Sequence, residues 1–173
     1  TSSSTTATFA WSRAAVAGIS NPASSGTGAT ITETLVNTTP EPVVVHYLIT
    51  PSVNGCAGTQ FDVAVTVNPT AVITSDATAN WCNNTANTYT ATSSSTTATF
   101  AWSRAAVAGI SNPASSGTGA TITETLVNTT PEPVVVHYLI TPSVNGCAGT
   151  QSDIAVTVNP TAVITSDATA NWC

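Results

Sequence analysis

One long segment of this chain occurs twice. Residues 92–173 copy residues 1–82 with two changes, Phe61 to Ser152 and Val63 to Ile154, and only 83–91 (NNTANTYTA) occurs once. The motif TSSSTTATFAWSRAAV starts at Thr1 and again at Thr92, so the period is 91 residues. Solenoid units run to about 20–50 residues. A β-sandwich needs about 100. The repeat is therefore domain-sized. Copies this similar point to multiplicity, because arrays gain reach and avidity from copy number. Two copies of one active site have no such reason to stay alike.

Within the period, apolar residues recur at strand spacing. The unit is complete from Ala71 to Pro160. Ala71–Thr74 reads as a short first strand and Ser75–Ala79 as a polar turn. Thr88–Thr92 is a strand anchored by Tyr89. In Thr97–Arg104, Phe100 and Trp102 share one face, at period 2. Val107–Ile110 has room for a short strand, and Asn112–Gly119 (NPASSGTG) carries loop residues. Ala120–Val127 alternates, but Glu124 falls on the face of Ile122 and Leu126. Asn128–Pro133 is a turn. Val134–Thr141 (VVVHYLIT) is the most apolar strand and is expected to be central. Asn145-Gly146 is a hairpin signal, Ile154–Val158 closes the unit, and Pro160 blocks further pairing. About seven short strands at turn spacings of roughly 8–12 residues predict an all-β fold of antiparallel β-sandwich modules.

The boundaries follow from the Asn-Pro-Thr joints at Asn68 and Asn159. They predict a repeat over 1–70 that lacks its N-terminal strands, a complete repeat over 71–160, and the first strand segment of a further repeat over 161–173. A single proline with no Gly/Ser tract makes a short, stiff joint, so the modules are expected to form an extended rod. Phe100, Trp102 and Tyr138 are the expected core anchors, with Ile122 beside them.

Charge excludes several function classes. The chain has no lysine, two arginines and a formal net charge of −6. With no basic cluster it is not expected to bind nucleic acid. No apolar run approaches the roughly 20 residues that span a bilayer, so no membrane insertion is expected in this segment. Thr, Ser, Ala and Val dominate, as in strands with a polar, uncharged outer face.

The order TFAWSR, GTGATITETLVNTT, PVVVHYLITPSVNGCAG, VAVTVNP resembles the immunoglobulin-like and PKD-like repeats of very large surface adhesins of Bacteroidota, the type exported by the type IX secretion system. The resemblance covers each whole period. It implies an extracellular stalk or adhesive array on the bacterial cell surface, serving attachment, biofilm or gliding. Its partners would be neighbouring identical repeats, and surface polysaccharide or other cells. The acidic, metal-linked joints of some other adhesin families are absent.

Four cysteines, Cys56, Cys82, Cys147 and Cys173, allow three pairings. Module logic and the resemblance together favour Cys82–Cys147, a bridge inside one module, with Cys56 and Cys173 partnered outside the chain. Its 65-residue loop would stabilise by about 4 kcal/mol in the chain-entropy model. The rival scheme pairs Cys56 with Cys82 and Cys147 with Cys173. No CxxC or Cys/His cluster signals zinc.

Catalytic chemistry finds little support. His46 and His137 sit beside tyrosines in the strongest strand, and serine is too common for a Ser/His/Asp match to carry weight. No GxSxG elbow occurs. The bland reading is a strand histidine bonded to a neighbour. Glu33, Glu41, Asp62 and Asp76 lack a DxDxDG-like loop, so a solvated surface is expected in place of calcium. Trp11 and Trp102 read as core, whereas Trp81 and Trp172 precede cysteines and are expected to pack on a disulfide. Asn37, Asn83 and Asn128 match the N-glycosylation pattern, which chance supplies in such a composition. No catalytic residue, metal or cofactor is assigned. The sequence reading is thus a non-enzymatic stalk segment. The alternatives are a carbohydrate-binding or accessory module of a secreted enzyme, or a self-assembling filament subunit. Because 161–173 repeat 70–82, the chain is expected to be a window of a longer array. One chain's tail can also dock on another's head by strand addition, although the 83–91 strand would still be missing.

Overall fold

The computed structural model describes residues 5–164. Thirteen strands run through them: β1 (Thr8–Arg13), β2 (Ser24–Thr27), β3 (Val43–Val53), β4 (Cys56–Ala57), β5 (Phe61–Val67), β6 (Thr78–Cys82), β7 (Ala86–Thr90), β8 (Thr99–Arg104), β9 (Ser115–Thr118), β10 (Thr121–Thr125), β11 (Val134–Val144), β12 (Cys147–Ala148) and β13 (Ser152–Asn159). No helix occurs among the described residues. Two compact units emerge. Among the described residues, the first comprises 5–72, Ser94–Ala98 and Ser143–Gly149, and the second Ile73–Ser93, Thr99–Pro142 and 150–164.

The second unit is organised by β11. Val136, Tyr138 and Ile140 are buried and alternate with exposed Val135, His137 and Leu139. That alternation is the period-2 pleat of a strand with one face on the core. The large sheet runs β9-β8-β11-β13-β6, with β12 also on β11, and a two-stranded sheet pairs β10 with β7. Trp81, Tyr89, Ile122, Leu126, Val136, Tyr138, Ile140, Ile154, Val156 and Val158 form the core. Each such aliphatic or aromatic side chain contributes about 1.5–3 kcal/mol when fully buried. The given ladders of β11 to β12 and β13, of β8 to β9 and of β10 to β7 are antiparallel. β6 pairs with β13 in parallel, from Ala155↔Thr78 to Asn159↔Cys82.

Several local expectations change. Ala71–Thr74 is not a strand; it holds only the isolated bridge Ile73↔Ser93. Val107–Ile110 likewise contributes a bridge, Ile110↔Asn128. The loop reading of Asn112–Gly119 misses β9, whose small residues Ser115–Thr118 pair with β8. They are small for a reason: a Cβ on Gly117 would lie 2.7 Å from Trp102 Cζ2. β11 runs three residues past Thr141, through Pro142. Its ladder to β13 ends at Ile140 and its ladder to β12 begins at Ser143. Proline therefore sits where neither ladder requires its N–H. Asn145 and Gly146 both take positive φ (49° and 80°), the two-residue turn that matches strand twist.

The first unit is built from the same residues with fewer strands. Its sheet is β2-β1-β3-β4, with β5 also on β3. No described strand borders the other edge of β5, and residues 30–34, identical in sequence to β10, form no strand. Its buried core is Ile19, Val45 and Tyr47.

Candidate functional site

Three constellations carry chemistry-bearing side chains. The first explains the carboxylate that interrupts the apolar face of Ala120–Val127. Arg104 is 2% exposed. Its Nε donates to Glu124 Oε2 at 2.9 Å and its Nη2 to Glu124 Oε1 at 3.3 Å. Nη1 and Nη2 also donate to the carbonyls of Ala105 (3.1 Å) and Pro113 (2.8 Å). Tyr138 donates its hydroxyl to Glu124. The first unit repeats this arrangement with Arg13, Glu33 and Tyr47. Hydrogen bonds from Arg13 and then Tyr47 hold the Glu33 carboxyl at about 2, against an ordinary 4.5. At Glu124 burial works toward a higher value, but hydrogen bonds from Arg104 and Tyr138 outweigh it and the net shift is downward. Burial, then Glu124, pushes the Tyr138 hydroxyl far above its ordinary value. Glu33 and Glu124 are thus internal counter-ions of buried arginines, which corrects the solvated reading. Glu41 is not free either: within the first unit it accepts from Thr96 N (2.7 Å), Thr96 Oγ1 (2.8 Å) and Ser95 Oγ (3.1 Å).

The second constellation is a surface pair. His137 Nδ1 lies 2.8 Å from Asp153 Oδ1, and His46 Nδ1 lies 2.9 Å from Asp62 Oδ1. In each pair both side chains are more than half exposed on the outer face of a sheet. Cross-strand register brings them together: Asp153 pairs with Leu139, and His137 lies two positions along β11, on the same face at the diagonal. Among the described residues no three His, Cys, Asp or Glu side chains cluster as a metal site would need.

The cysteines require a correction. Cys56, Cys82 and Cys147 are exposed free thiols, so the favoured Cys82–Cys147 bridge is not formed. The ladders give the reason. Cys82 lies opposite Asn159, beside Val158, which pairs with Val134 at the start of β11. Cys147 lies opposite Val144, at the end of β11. Ten residues of strand, about 33 Å, separate the two positions, far beyond the ~4.4–6.8 Å that a disulfide spans between Cα atoms. Trp81 accordingly packs on no disulfide; its ring lies 5.6 Å from that of Tyr138. Trp172 and Cys173, and with them most of the predicted strand segment 161–173, fall outside the described residues.

Of the expected core anchors, Tyr138 is 1% exposed, and Phe100 and Trp102 are half-buried against the same core. Trp102 stands 5.9 Å from Tyr138, edge to face. Asn128 is buried, and its Nδ2 donates to the carbonyls of Glu132 (2.8 Å) and Val158 (2.9 Å). Asn37 makes the same bonds to Glu41 and Val67, so both amides clamp their turns.

The third constellation is a groove on the first unit. Ile31, Leu35, Tyr47, Ile49, Val63 and Val65 line it, and Asn68 and Cys147 stand at one end. In the second unit the equivalent residues are covered by β6 and β7. Val65 is 37% exposed where Val156 is 0%, and half-buried Ile31, Leu35 and Ile49 answer to Ile122, Leu126 and Ile140, which are 1% exposed or less.

The family model of the PKD-like domain matches residues 1–71 and 79–162. The chain belongs to the PKD-like domain family. The second match takes in β7 and all of β6 but Thr78. No curated protein matches the chain. PKD-like domains are immunoglobulin-like β-sandwich modules, generally non-catalytic and typically extracellular. The internal Arg–Glu–Tyr networks suit such a module, because every charge in them is already partnered within the fold.

Proposed function

We propose that this chain is a stalk segment of a repetitive bacterial surface adhesin, in which PKD-like modules extend a binding region from the cell for attachment or gliding. The observation that carries the reading is the near-identity of the two copies. Only Phe61/Ser152 and Val63/Ile154 differ across the 82 shared positions, and both pairs lie on the equivalent strands β5 and β13. A chain kept uniform over domain-sized units is suited to length and multiplicity, and its surface carries few charges to engage a specific polar ligand. Family membership supports an extracellular structural or adhesive role. The carbohydrate-binding alternative needs exposed aromatic platforms, whereas Trp81 is buried and Trp11 and Trp102 are half-buried against tyrosines. The same assignment makes the chain non-enzymatic, exported and a neighbour of identical modules.

The test is surface labelling of intact source cells with antibodies against the 71–160 module, together with an attachment assay on a strain that lacks the gene. Labelling of unbroken cells and reduced attachment are expected. Signal confined to the interior of broken cells, with unchanged attachment, would overturn the reading.

A further inference from the structure

The parallel ladder between β6 and β13 ties the strand by which the chain enters the second unit to the strand by which it leaves. Five residue pairs make it, from Thr78↔Ala155 to Cys82↔Asn159. β6 is the terminal strand of its sheet, and its neighbour there is β13. The chain runs into β6 at Thr78 and out of β13 at Asn159, and these two residues lie at opposite ends of the ladder. Tension along the chain therefore draws the two strands past each other. In an antiparallel pair the same two points would lie at one end, and tension would open the pairs one after another.

The backbone bonds run across the direction of pull. Ala155 N donates to Ala77 O at 2.9 Å at one end, and Asn83 N donates to Asn159 O at 3.1 Å at the other. These two bonds fix the phase of the ladder, so that the N–H and C=O groups of Ala79 and Trp81 point to β13. Side chains fix its register. Trp81 is 4% exposed, and its ring stands 5.6 Å from that of Tyr138. A slip of one residue would turn Trp81 out of the core. A slip of two would carry it about 6.6 Å along β13, away from Tyr138. Asn159 Nδ2 adds a bond to the Trp81 carbonyl at 3.3 Å.

We infer that the β6–β13 ladder is a mechanical clamp, which makes the module resist tension applied through its two ends, with Trp81 holding the register. The basis is load sharing: shear strains every bond of the ladder at once, whereas peeling strains one at a time. The inference rests on the stalk reading for its setting, because only a chain held at both ends carries such a load.

The experiment pulls single 173-residue molecules between two thiols, with the four native cysteines changed to serine except where one serves as a handle. Exposed Thr70 and Ala162 flank the module. Thr70→Cys with Ala162→Cys loads the ladder in shear. Native Cys82, exposed and opposite Asn159, taken with Ala162→Cys loads the same ladder from one end. At one loading rate the shear pair is expected to unfold the module at a several-fold higher force than the peeling pair. The length released, about 3.6 Å for each residue between the handles, identifies the event. Ala79→Pro removes one N–H from the middle of the ladder. With the fold retained by circular dichroism, it is expected to lower the shear force and leave the peeling force unchanged. The comparison of handles leaves the ladder backbone intact, so it decides the matter even where Ala79→Pro does not fold. Equal forces in the two directions, a stronger peeling direction, or an equal effect of Ala79→Pro on both would each overturn the proposal. Pulling is blind to where the protein resides and surface labelling is blind to the ladder, so the clamp and the stalk reading fail separately.

Discussion

At the scale of single residues, the fold turns on a charge placed inside it. Arg104 reaches the interior because four of its bonds end on Glu124 and two carbonyls, and Glu124 is tolerated on an apolar face because Arg104 waits there. Removing one member of a buried pair leaves the other charge without compensation, which costs about 3–5 kcal/mol. Glu124→Ala is therefore expected to lower the unfolding free energy of the second unit by about that amount in a urea titration. Replacing Arg104 and Glu124 together by apolar residues of similar volume is expected to cost less than either single change. The pH dependence has a definite sign. Glu33 ionises at about 2 in the folded chain and near 4.5 ordinarily. A carboxyl with a lowered folded value stabilises above its ordinary value, and that contribution is lost as pH falls through the folded one. The Glu33 contribution to the first unit should thus be constant above 4.5 and decline between 4.5 and 2, measured as urea midpoints across that window. A midpoint that rises on acidification there would contradict the ion pair.

At the scale of elements, identical sequence takes different structure in the two copies. TITET forms β10 at 121–125 but no strand at 30–34, because β10 exists only as the partner of β7. Hydrogen exchange should show it: amides of Thr121–Thr125 bonded to β7 protected, and those of 30–34 exchanging at near-loop rates. Truncating the β6 anchor, Trp81→Ala, is expected to cost about 3–5 kcal/mol by calorimetry, the usual range for a buried aromatic. This contrast also marks how far the sequence could be read. The strand VVVHYLIT was legible as the most apolar run, TFAWSR by the period-2 spacing of Phe100 and Trp102, and IAVTV by alternation across five positions. The Asn145-Gly146 turn was legible because its dipeptide supplies two positive φ values. TANWC and SSGT were not, because each carries at most one large apolar side chain and is held in the sheet by its neighbours. The Arg–Glu–Tyr networks escaped for a related reason. Glu124 announced itself only as a break in alternation, and its partner lies 20 residues away. The cysteine pairing failed because membership of one module says nothing about which end of an 11-residue strand each thiol occupies.

At the scale of the whole molecule, two units of nearly one sequence are unequal in what they bury. The second encloses Val156, Val158, Ile140 and Leu126 completely, whereas the first leaves their counterparts partly open. Calorimetry is expected to resolve two transitions, the lower belonging to the first unit, and Val65→Asp should shift only the lower one. The near-identity of the copies has a further consequence, of a genetic kind. Because the copies differ at only two of their 82 shared positions, recombination between repeats can add or remove a whole 91-residue period and leave the sequence of every remaining repeat nearly unchanged. In the proposed array the same near-identity exposes the nascent chain to misassembly, since most strands of the wrong repeat match those of the right one in sequence. In the array proposed above, order then rests on which repeat emerges first during synthesis and closes before its twin appears.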